Sequence, residues 1–121
     1  MKHLINWVEI PVIDLKRAIG FYSKILGVEF NEMEIGGSRY AIFPTDDKFN
    51  SGALAQGEYY KPNTDGITIY LDGGTDLSII LSKVKAAGGE VIMEKIFLAK
   101  EAGYIGMFID TEGNKIGLQH M

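Results

Sequence analysis

The sequence predicts an α+β fold of two βαβββ modules, which form a curved mixed sheet with helices on one face and a concave cleft on the other. Two amphipathic helical segments, with strand-like runs before and after each, carry this prediction. Their order recurs after roughly sixty residues. The 121 residues suit a single domain at 1–121, with modules at approximately 1–57 and 66–121.

Each helix is predicted from a capping residue and an apolar stripe. Asp14 is a good N-cap for a first helix that Gly27 ends, and Asp76 or Thr75 caps a second helix that the glycine pair 88–89 ends. The apolar residues recur at helical spacing in both segments. The stripes are Leu15, Ala18, Ile19, Tyr22, Ile25 and Leu26 in the first, and Leu77, Ile80, Leu81 and Val84 in the second.

Eight strand-like runs complete the two modules. The runs of the first module lie at 5–12, 28–34, 39–43 and 52–56, and those of the second at 67–72, 90–98, 104–109 and 115–120. Glycines 36–37 and residues 112–114 are typical of hairpin turns.

Alternating side chains predict which face of the sheet is bare. Two helices cannot cover both faces of so many strands, so one face should form a cleft. The apolar sets that should face the helices are Val8, Ile10 and Val12, then Ile67, Ile69 and Leu71, then Ile116 and Leu118. The opposite sets are Trp7, Glu9 and Pro11, then Gly66, Thr68 and Tyr70, then Gly117 and Gln119. Their mixture of small, polar and aromatic groups favours a ligand site.

Composition argues against several classes of protein. Hydrophobic residues make up 46% and charged residues 23%, which argues against disorder and membrane insertion. The net charge of −4, without a lysine or arginine cluster, argues against nucleic acid and anionic membranes as partners. The absence of cysteine excludes disulfides and thiolate chemistry and fits a reducing compartment. Asn6, Glu9 and Asp14 come too early for a secretory leader, so we expect a cytoplasmic protein.

Three segments carry a resemblance to a known superfamily. They are IPVIDLKRAIGFYSKILGVEF, DLSIILSKVKAAGGEV and FIDTEGNKIGLQ. They resemble the first module, the second helix and the final hairpin of the vicinal oxygen chelate superfamily, also called the glyoxalase/bleomycin resistance protein/dioxygenase superfamily. The resemblance covers essentially the whole chain and is most similar to an uncharacterised glyoxalase-like branch. It implies the paired-module fold, and it leaves the reaction open because this fold hosts many chemistries.

The resemblance also implies where a metal would be bound. In the metalloenzymes of this superfamily, His, Gln or Glu side chains occupy inward strand positions, which here fall on Trp7, Gly66, Gly117 and the stretch 51–55. An indole and glycines offer no side-chain lone pair to a divalent cation, so the sequence predicts no metal site and no cofactor. His3 and His120 are interpreted as solvated terminal residues, with a metal site made from the two as the alternative.

Glu9 and its expected neighbours are the candidates for chemistry. Glu9 beside Trp7 could act as a general base, or it could hydrogen-bond a polar group of a ligand. Trp7 and Tyr70 could stack on a flat ligand, with Thr68 and Gln119 beside them. Gly66 and Gly117 have no side chain and would leave room for a ligand at the base of the cleft.

Other residues are given ordinary structural interpretations. Phe43 is expected to pack in the sheet, and Arg39 to be an exposed hairpin residue. Asp46, Asp47 and Glu101 are interpreted as solvated loop charges. The face that Tyr104 occupies stays open.

Three functions follow from this sequence. The first is a metal-free small-molecule binding protein that takes an aromatic or amphipathic compound through Trp7, Glu9, Gly66, Thr68, Tyr70, Gly117 and Gln119. The alternative is a metal-independent isomerase or lyase with Glu9 as base. The third is a lactoylglutathione lyase- or dioxygenase-like metalloenzyme with atypical ligands.

A homodimer is expected, because the resemblance implies one and because open strand edges favour pairing with another strand. Modules could pair within one chain or between chains.

Overall fold

The computed structural model describes residues 4–46 and 51–121. The order βαβββ occurs twice, which confirms the predicted α+β fold. The elements are β1 (Val8–Pro11), α1 (Leu15–Leu26), β2 (Asn31–Ile35), β3 (Ser38–Ile42), β4 (Gly52–Gln56), β5 (Tyr70–Asp72), α2 (Leu77–Val84), β6 (Glu90–Ala99), β7 (Gly103–Ile109) and β8 (Lys115–His120). Within the described ranges, no helix is long and apolar enough to cross a membrane.

The strands form two four-stranded mixed sheets, one from each half of the chain. Their orders are β1-β4-β3-β2 and β5-β8-β7-β6. In each sheet the first strand pairs in parallel with the last, and the other pairs are antiparallel. As far as the chain is described, β1 and β5 each pair with one strand only, so each leaves one edge without a hydrogen-bonded neighbour.

Local chemistry sets the helix ends and one hairpin. Asp14 accepts from the Arg17 N–H at the start of α1, and Gly27 ends that helix with φ 67°. Asp76, not Thr75, caps α2, because its carboxylate accepts from the Ser78 N–H. The glycine pair 36–37 has φ values of 61° and 87°, the paired positive angles of a tight hairpin turn between β2 and β3.

The core lies between the helices and the two sheets. Ile10 on β1, Val12 directly after β1, and Ile116 and Leu118 on β8 are all buried, which confirms the predicted helix-facing sides of these segments. Both halves of the chain contribute to one buried cluster. Phe21 on α1 meets Phe108 on β7 with ring centroids 5.7 Å apart, so the helices join the two sheets across this core.

A buried polar turn at 110–114 also ties the two halves together. The Glu112 carboxylate accepts from the N–H groups of Ile13 and Asp14, each at 2.8 Å. It also forms an ion pair with Arg17 at 2.7 Å, and its own side chain is fully buried. Asn114 donates to the Pro11 carbonyl at 2.7 Å. The motif of the final hairpin therefore holds the start of α1.

Two sequence interpretations prove wrong. Strand alternation predicts Ile67 on the helix-facing side, yet this residue is 90% exposed, because β5 begins only at Tyr70 and the alternation does not extend into the preceding loop. The sequence predicts a solvated His120, yet this residue is buried and its ring stacks on Tyr104 with centroids 5.2 Å apart. Its place on β8 puts it on the same face as Leu118. His3 lies outside the described residues.

Candidate functional site

A cavity of about 410 Å³ opens on the bare face of the first sheet. Alternation along β2 brings every second residue of that strand into it. Its lining residues are Trp7, Glu9, Asn31, Met33, Ile35, Tyr40 and Ile42. The helices cover the opposite face of this sheet, where Ile10 is buried. The cavity therefore occupies the position that the sequence assigned to a cleft.

Glu9 is held in this cavity by two hydrogen-bond donors. The Trp7 indole Nε1 donates to Glu9 Oε2 at 3.1 Å. The Tyr60 hydroxyl donates to Glu9 Oε1 at 2.8 Å. Since both carboxylate oxygens accept a hydrogen bond, the side chain has a fixed direction in the cavity, and neither of these two donors carries a positive charge.

Tyr60 extends the arrangement to Tyr40. The two hydroxyl oxygens lie 3.1 Å apart. The only hydroxyl proton of Tyr60 points to Glu9, so Tyr40 donates to Tyr60 and its own oxygen is left to accept. The hydrogen bond with Tyr40, burial, and the hydrogen bond and charge of Glu9 raise the pKa of Tyr60. Tyr60 therefore stays a protonated, neutral donor.

Neither Tyr60 nor Tyr40 is predicted as a site residue from the sequence. Tyr60 lies in the connection between the modules, for which no element was predicted. The turn that places it begins at Gly57, whose carbonyl accepts from the Tyr60 N–H at 3.2 Å. A side chain at Gly57 would collide with Ser38 Oγ, 2.4 Å from the position of a Cβ atom. Tyr40 could have been found from strand alternation, because it lies opposite Met33 on β2.

The other predicted site residues lie with the second sheet. The Tyr70 ring covers Gly117, where an added Cβ atom would lie 2.5 Å from the ring. Gln119 donates to the Ala102 carbonyl at 2.6 Å. Gly66 and Thr68 lie in the loop before β5, and Gly66 is exposed with φ 94°. None of these five residues lines the cavity on the first sheet.

A larger cavity of about 580 Å³ lies on the helix-facing side. Half of its lining residues also build or contact the core, such as Ile10, Tyr22 and Leu71. Phe43 lines it and packs against Phe30 with ring centroids 6.2 Å apart, which agrees with its packing role. We place the candidate site in the smaller cavity, because two side-chain donors there converge on the Glu9 carboxylate.

The other residues that were given an interpretation from the sequence do not line the candidate site, as far as the structure describes them. Arg39 pairs with Glu32 at 3.5 Å. Tyr104 lies on the helix side, where Lys95 Nζ is 4.5 Å from its ring centroid. Asp46 and Glu101 are exposed, and Asp47 falls outside the described residues.

The positions implied for metal ligands do not fit a divalent cation. The Trp7 indole is a donor and its N–H is already bonded to Glu9. At Gly117, the space for a ligand side chain is filled by the Tyr70 ring. The stretch 51–55 carries only Ser51, glycine, alanine and leucine. Among the described residues, no three His, Cys, Asp or Glu side chains are grouped to hold a metal ion.

Comparisons of structure find the same fold in other proteins. A hypothetical protein from S. aureus matches with a TM-score of 0.67 and 22% identity, over 100% of this chain and 99% of that one. A glyoxalase/bleomycin resistance protein from Albidiferax ferrireducens matches with 0.69 and 20%, over 98% and 100%. Glyoxalase I from Zea mays matches with 0.67 and 23%, over 94% of this chain and 44% of the maize chain.

Comparison of sequence identifies the family. No curated protein matches this chain. The model of the Glyoxalase/Bleomycin resistance protein/Dioxygenase superfamily matches residues 4–118, nearly the whole length. With the repeated βαβββ order and the two mixed sheets, this match shows that the chain belongs to the Glyoxalase/Bleomycin resistance protein/Dioxygenase superfamily.

Proposed function

We propose that this chain is a metal-free small-molecule binding protein that takes an aromatic or amphipathic compound in the cavity of the first sheet. The observation that carries the proposal is an apolar recess built around one oriented carboxylate. Met33, Ile35 and Ile42 supply apolar walls, and Trp7 supplies an aromatic one. Ligand sites commonly combine apolar walls with a few fixed polar groups.

The arrangement of Glu9 favours binding over catalysis. Each carboxylate oxygen of Glu9 accepts one hydrogen bond, at 3.1 Å from Trp7 and at 2.8 Å from Tyr60, and keeps a further lone pair for a donor of a ligand. A polar group held in one direction in this way is typical of sites that orient a bound ligand. The alternative, an isomerase or lyase with Glu9 as base, is supported by the hydrogen-bonded chain of Tyr40, Tyr60 and Glu9, which could pass a proton.

We further propose that a second copy of the chain completes the cleft. Trp7, Met33, Ile35 and Tyr70 are between 41% and 58% exposed, although all are large and apolar or aromatic. The open edges of β1 and β5 support this assembly, because an uncovered strand edge favours pairing. Tyr70 and Gln119 would then reach the ligand from the partner copy, with Gly117 beneath the Tyr70 ring. Light scattering during size exclusion at micromolar concentration tests it, and a monomer contradicts it.

A thermal-shift screen over metabolites and antibiotics tests the binding function. A compound that binds the native state raises the unfolding temperature with its occupancy. The variant Ile42→Ala removes part of the cavity wall. A ligand that binds in this cavity should therefore raise the unfolding temperature of this variant less than that of the unmodified protein. The variant Ile79→Ala, at an exposed position of α2, should leave that shift unchanged. A hit that responds equally to both variants does not bind in this cavity.

Two further measurements test the remaining parts of this proposal. Elemental analysis of the purified protein should find no zinc, nickel or iron at one ion per chain, and stoichiometric metal would overturn the metal-free assignment. Once a substrate that the protein turns over is known, Glu9→Gln separates the two functions, because lost turnover with retained binding would favour the enzyme.

We also propose a cytoplasmic location, supported by the absence of cysteine.

A further inference from the structure

We propose that the cavity of the first sheet selects organic cations, specifically compounds that join an apolar or aromatic body to a protonated amine. The inference rests on the proposed binding function and names the class of ligand. It follows from three features of the cavity, which are its charge, the direction of its hydrogen bonds and the chemistry of its walls.

The first feature is a carboxylate for which the described residues that line the cavity supply no compensating cation. Glu9 is the one acidic or basic side chain among the described residues that line the cavity. Its two partners, Trp7 and Tyr60, are neutral donors. Arg39 neighbours Tyr40 on β3, but alternation turns it to the opposite face, where it pairs with Glu32 at 3.5 Å. A cationic ligand would therefore gain from Glu9, and an anionic ligand would be repelled.

The second feature is the direction of the hydrogen bonds. Tyr60 donates its hydrogen bond to Glu9, which leaves Tyr40 to donate one to Tyr60. The chain thus ends on the Tyr40 oxygen, which can only accept from a ligand. The remaining lone pairs of Glu9 also only accept. A protonated amine, which has donors and no acceptor, complements both groups, whereas a carboxylate ligand complements neither.

The third feature is the aromatic and apolar wall. The faces of Trp7 and Tyr40 can attract a cation through their ring quadrupoles, at roughly 0.5–1 kcal/mol for an exposed site. Met33, Ile35 and Ile42 border the cavity and provide apolar contacts for the body of the ligand. The volume of about 410 Å³ lies within the usual range for small-molecule sites.

The sole tryptophan of the chain provides a direct readout. Because Trp7 lines the cavity, its fluorescence reports occupancy there and not elsewhere. Three probes share one body and differ in one group: phenylbutylammonium, phenylbutanol and phenylbutanoate. We expect the ammonium to bind about tenfold more tightly than the alcohol and the carboxylate to bind most weakly, with the preference shrinking as salt is added.

Two variants that each remove one negative charge test whether Glu9 causes the preference for the ammonium. Glu9→Gln keeps the shape of the side chain and removes its charge, so it should bring the ammonium and the alcohol to equal affinity. Glu34→Gln makes the same change on the opposite face of β2 and should leave the preference intact. Should Glu9→Gln fail to fold, the salt dependence of the three probes in the unmodified protein decides the same question.

Several results would overturn the inference. Equal or tighter binding of the alcohol or the carboxylate refutes cation selection, while it leaves the binding function standing. A preference that survives Glu9→Gln refutes the role of this carboxylate. If none of the three probes changes Trp7 fluorescence at millimolar concentration, the inference also fails. In that case the binding function is still judged separately by the thermal-shift screen.

Discussion

The hydroxyl of Tyr22 donates a hydrogen bond of 2.6 Å to Asp110, a residue 88 positions further along the chain. Both residues are buried, and Tyr22 is also in contact with Phe21 and Phe108. Burial, followed by the charge and hydrogen bond of Asp110, raises the pKa of Tyr22. The bond links α1 to the turn before β8, so one residue of the helical stripe also joins the two halves.

Removal of the Tyr22 hydroxyl should destabilise the fold. Tyr22→Phe keeps the ring but leaves the buried Asp110 carboxylate with one donor fewer. We expect the free energy of unfolding to fall by about 2 kcal/mol, the usual scale for a hydrogen bond to a charged group. Urea denaturation measures it. Tyr59→Phe, at a residue 86% exposed, is the matched control and should change little. Equal effects of the two variants would contradict the structural role of this bond.

The buried Glu112 carboxylate should make the free energy of unfolding depend on pH in the acid range. Burial alone would raise the pKa of Glu112, but hydrogen bonds from Arg17, the Asp14 N–H, Thr111 and the Ile13 N–H together lower it to about 2 from the ordinary 4.5. A group whose pKa is lowered on folding contributes stability above its unfolded pKa and loses it as pH falls through the folded value. The free energy of unfolding should therefore drop between about pH 4.5 and 2.

Substitution of Glu112 checks the origin of that slope. Glu112→Gln should flatten the acid dependence and lower stability at neutral pH by about 2 kcal/mol, because Arg17 and the part-buried N–H groups of Ile13 and Asp14 lose their charged acceptor. Glu101→Gln, at an exposed residue, should keep the slope. A slope that persists in Glu112→Gln would assign the acid sensitivity to another group.

The contact between Tyr70 and Gly117 should appear as an energetic coupling. Gly117→Ala would place a Cβ atom 2.5 Å from the Tyr70 ring. We expect a loss of about 1–2 kcal/mol, since small-to-large changes at packed positions force neighbours to move. Tyr70→Ala in the same chain should relieve most of that loss. A double-mutant cycle by urea denaturation measures the coupling, and additive losses would contradict the predicted contact.

Two glycines of the first helix should respond in opposite directions to alanine. Gly20 lies on the exposed face of α1, and Gly27 caps the helix with φ 67°. An added Cβ atom meets nothing within 4 Å at either position. Gly20→Ala should stabilise by about 0.5–1 kcal/mol through helix propensity, and Gly27→Ala should destabilise because of its left-handed backbone. Thermal unfolding of both variants checks the contrast, and a shift in the same direction would refute it.

Local patterns were sufficient to predict most of the elements. The helix starts at Asp14 and Asp76 and the hairpin at 36–37 depend on residues a few positions apart, so they could be found from sequence. Alternation likewise identified Ile10 and Leu118 as core residues. It failed at Ile67, because periodicity describes a side chain only while the strand lasts.

The candidate site was predictable only in part. The proximity of Trp7 and Glu9 follows from their separation by two positions on one strand face. Their separation from Tyr70, Gly117 and Gln119 does not follow from sequence, because the modules could pair within one chain or between two. The structure places these groups on different sheets, and only the cavity of the first sheet contains Trp7 and Glu9.

The sequence by itself determined the repeated βαβββ order, the Asp14 cap and the buried sides of β1 and β8, because each depends on residues at regular or short spacing along the chain. The tertiary structure decided three features that depend on distant contacts. Tyr60 reaches Glu9 across 51 positions, and Tyr22 reaches Asp110 across 88. His120 is buried against Tyr104 although it lies one residue from the end of the sequence given. Such contacts depend on the path of the whole chain, which no local pattern encodes.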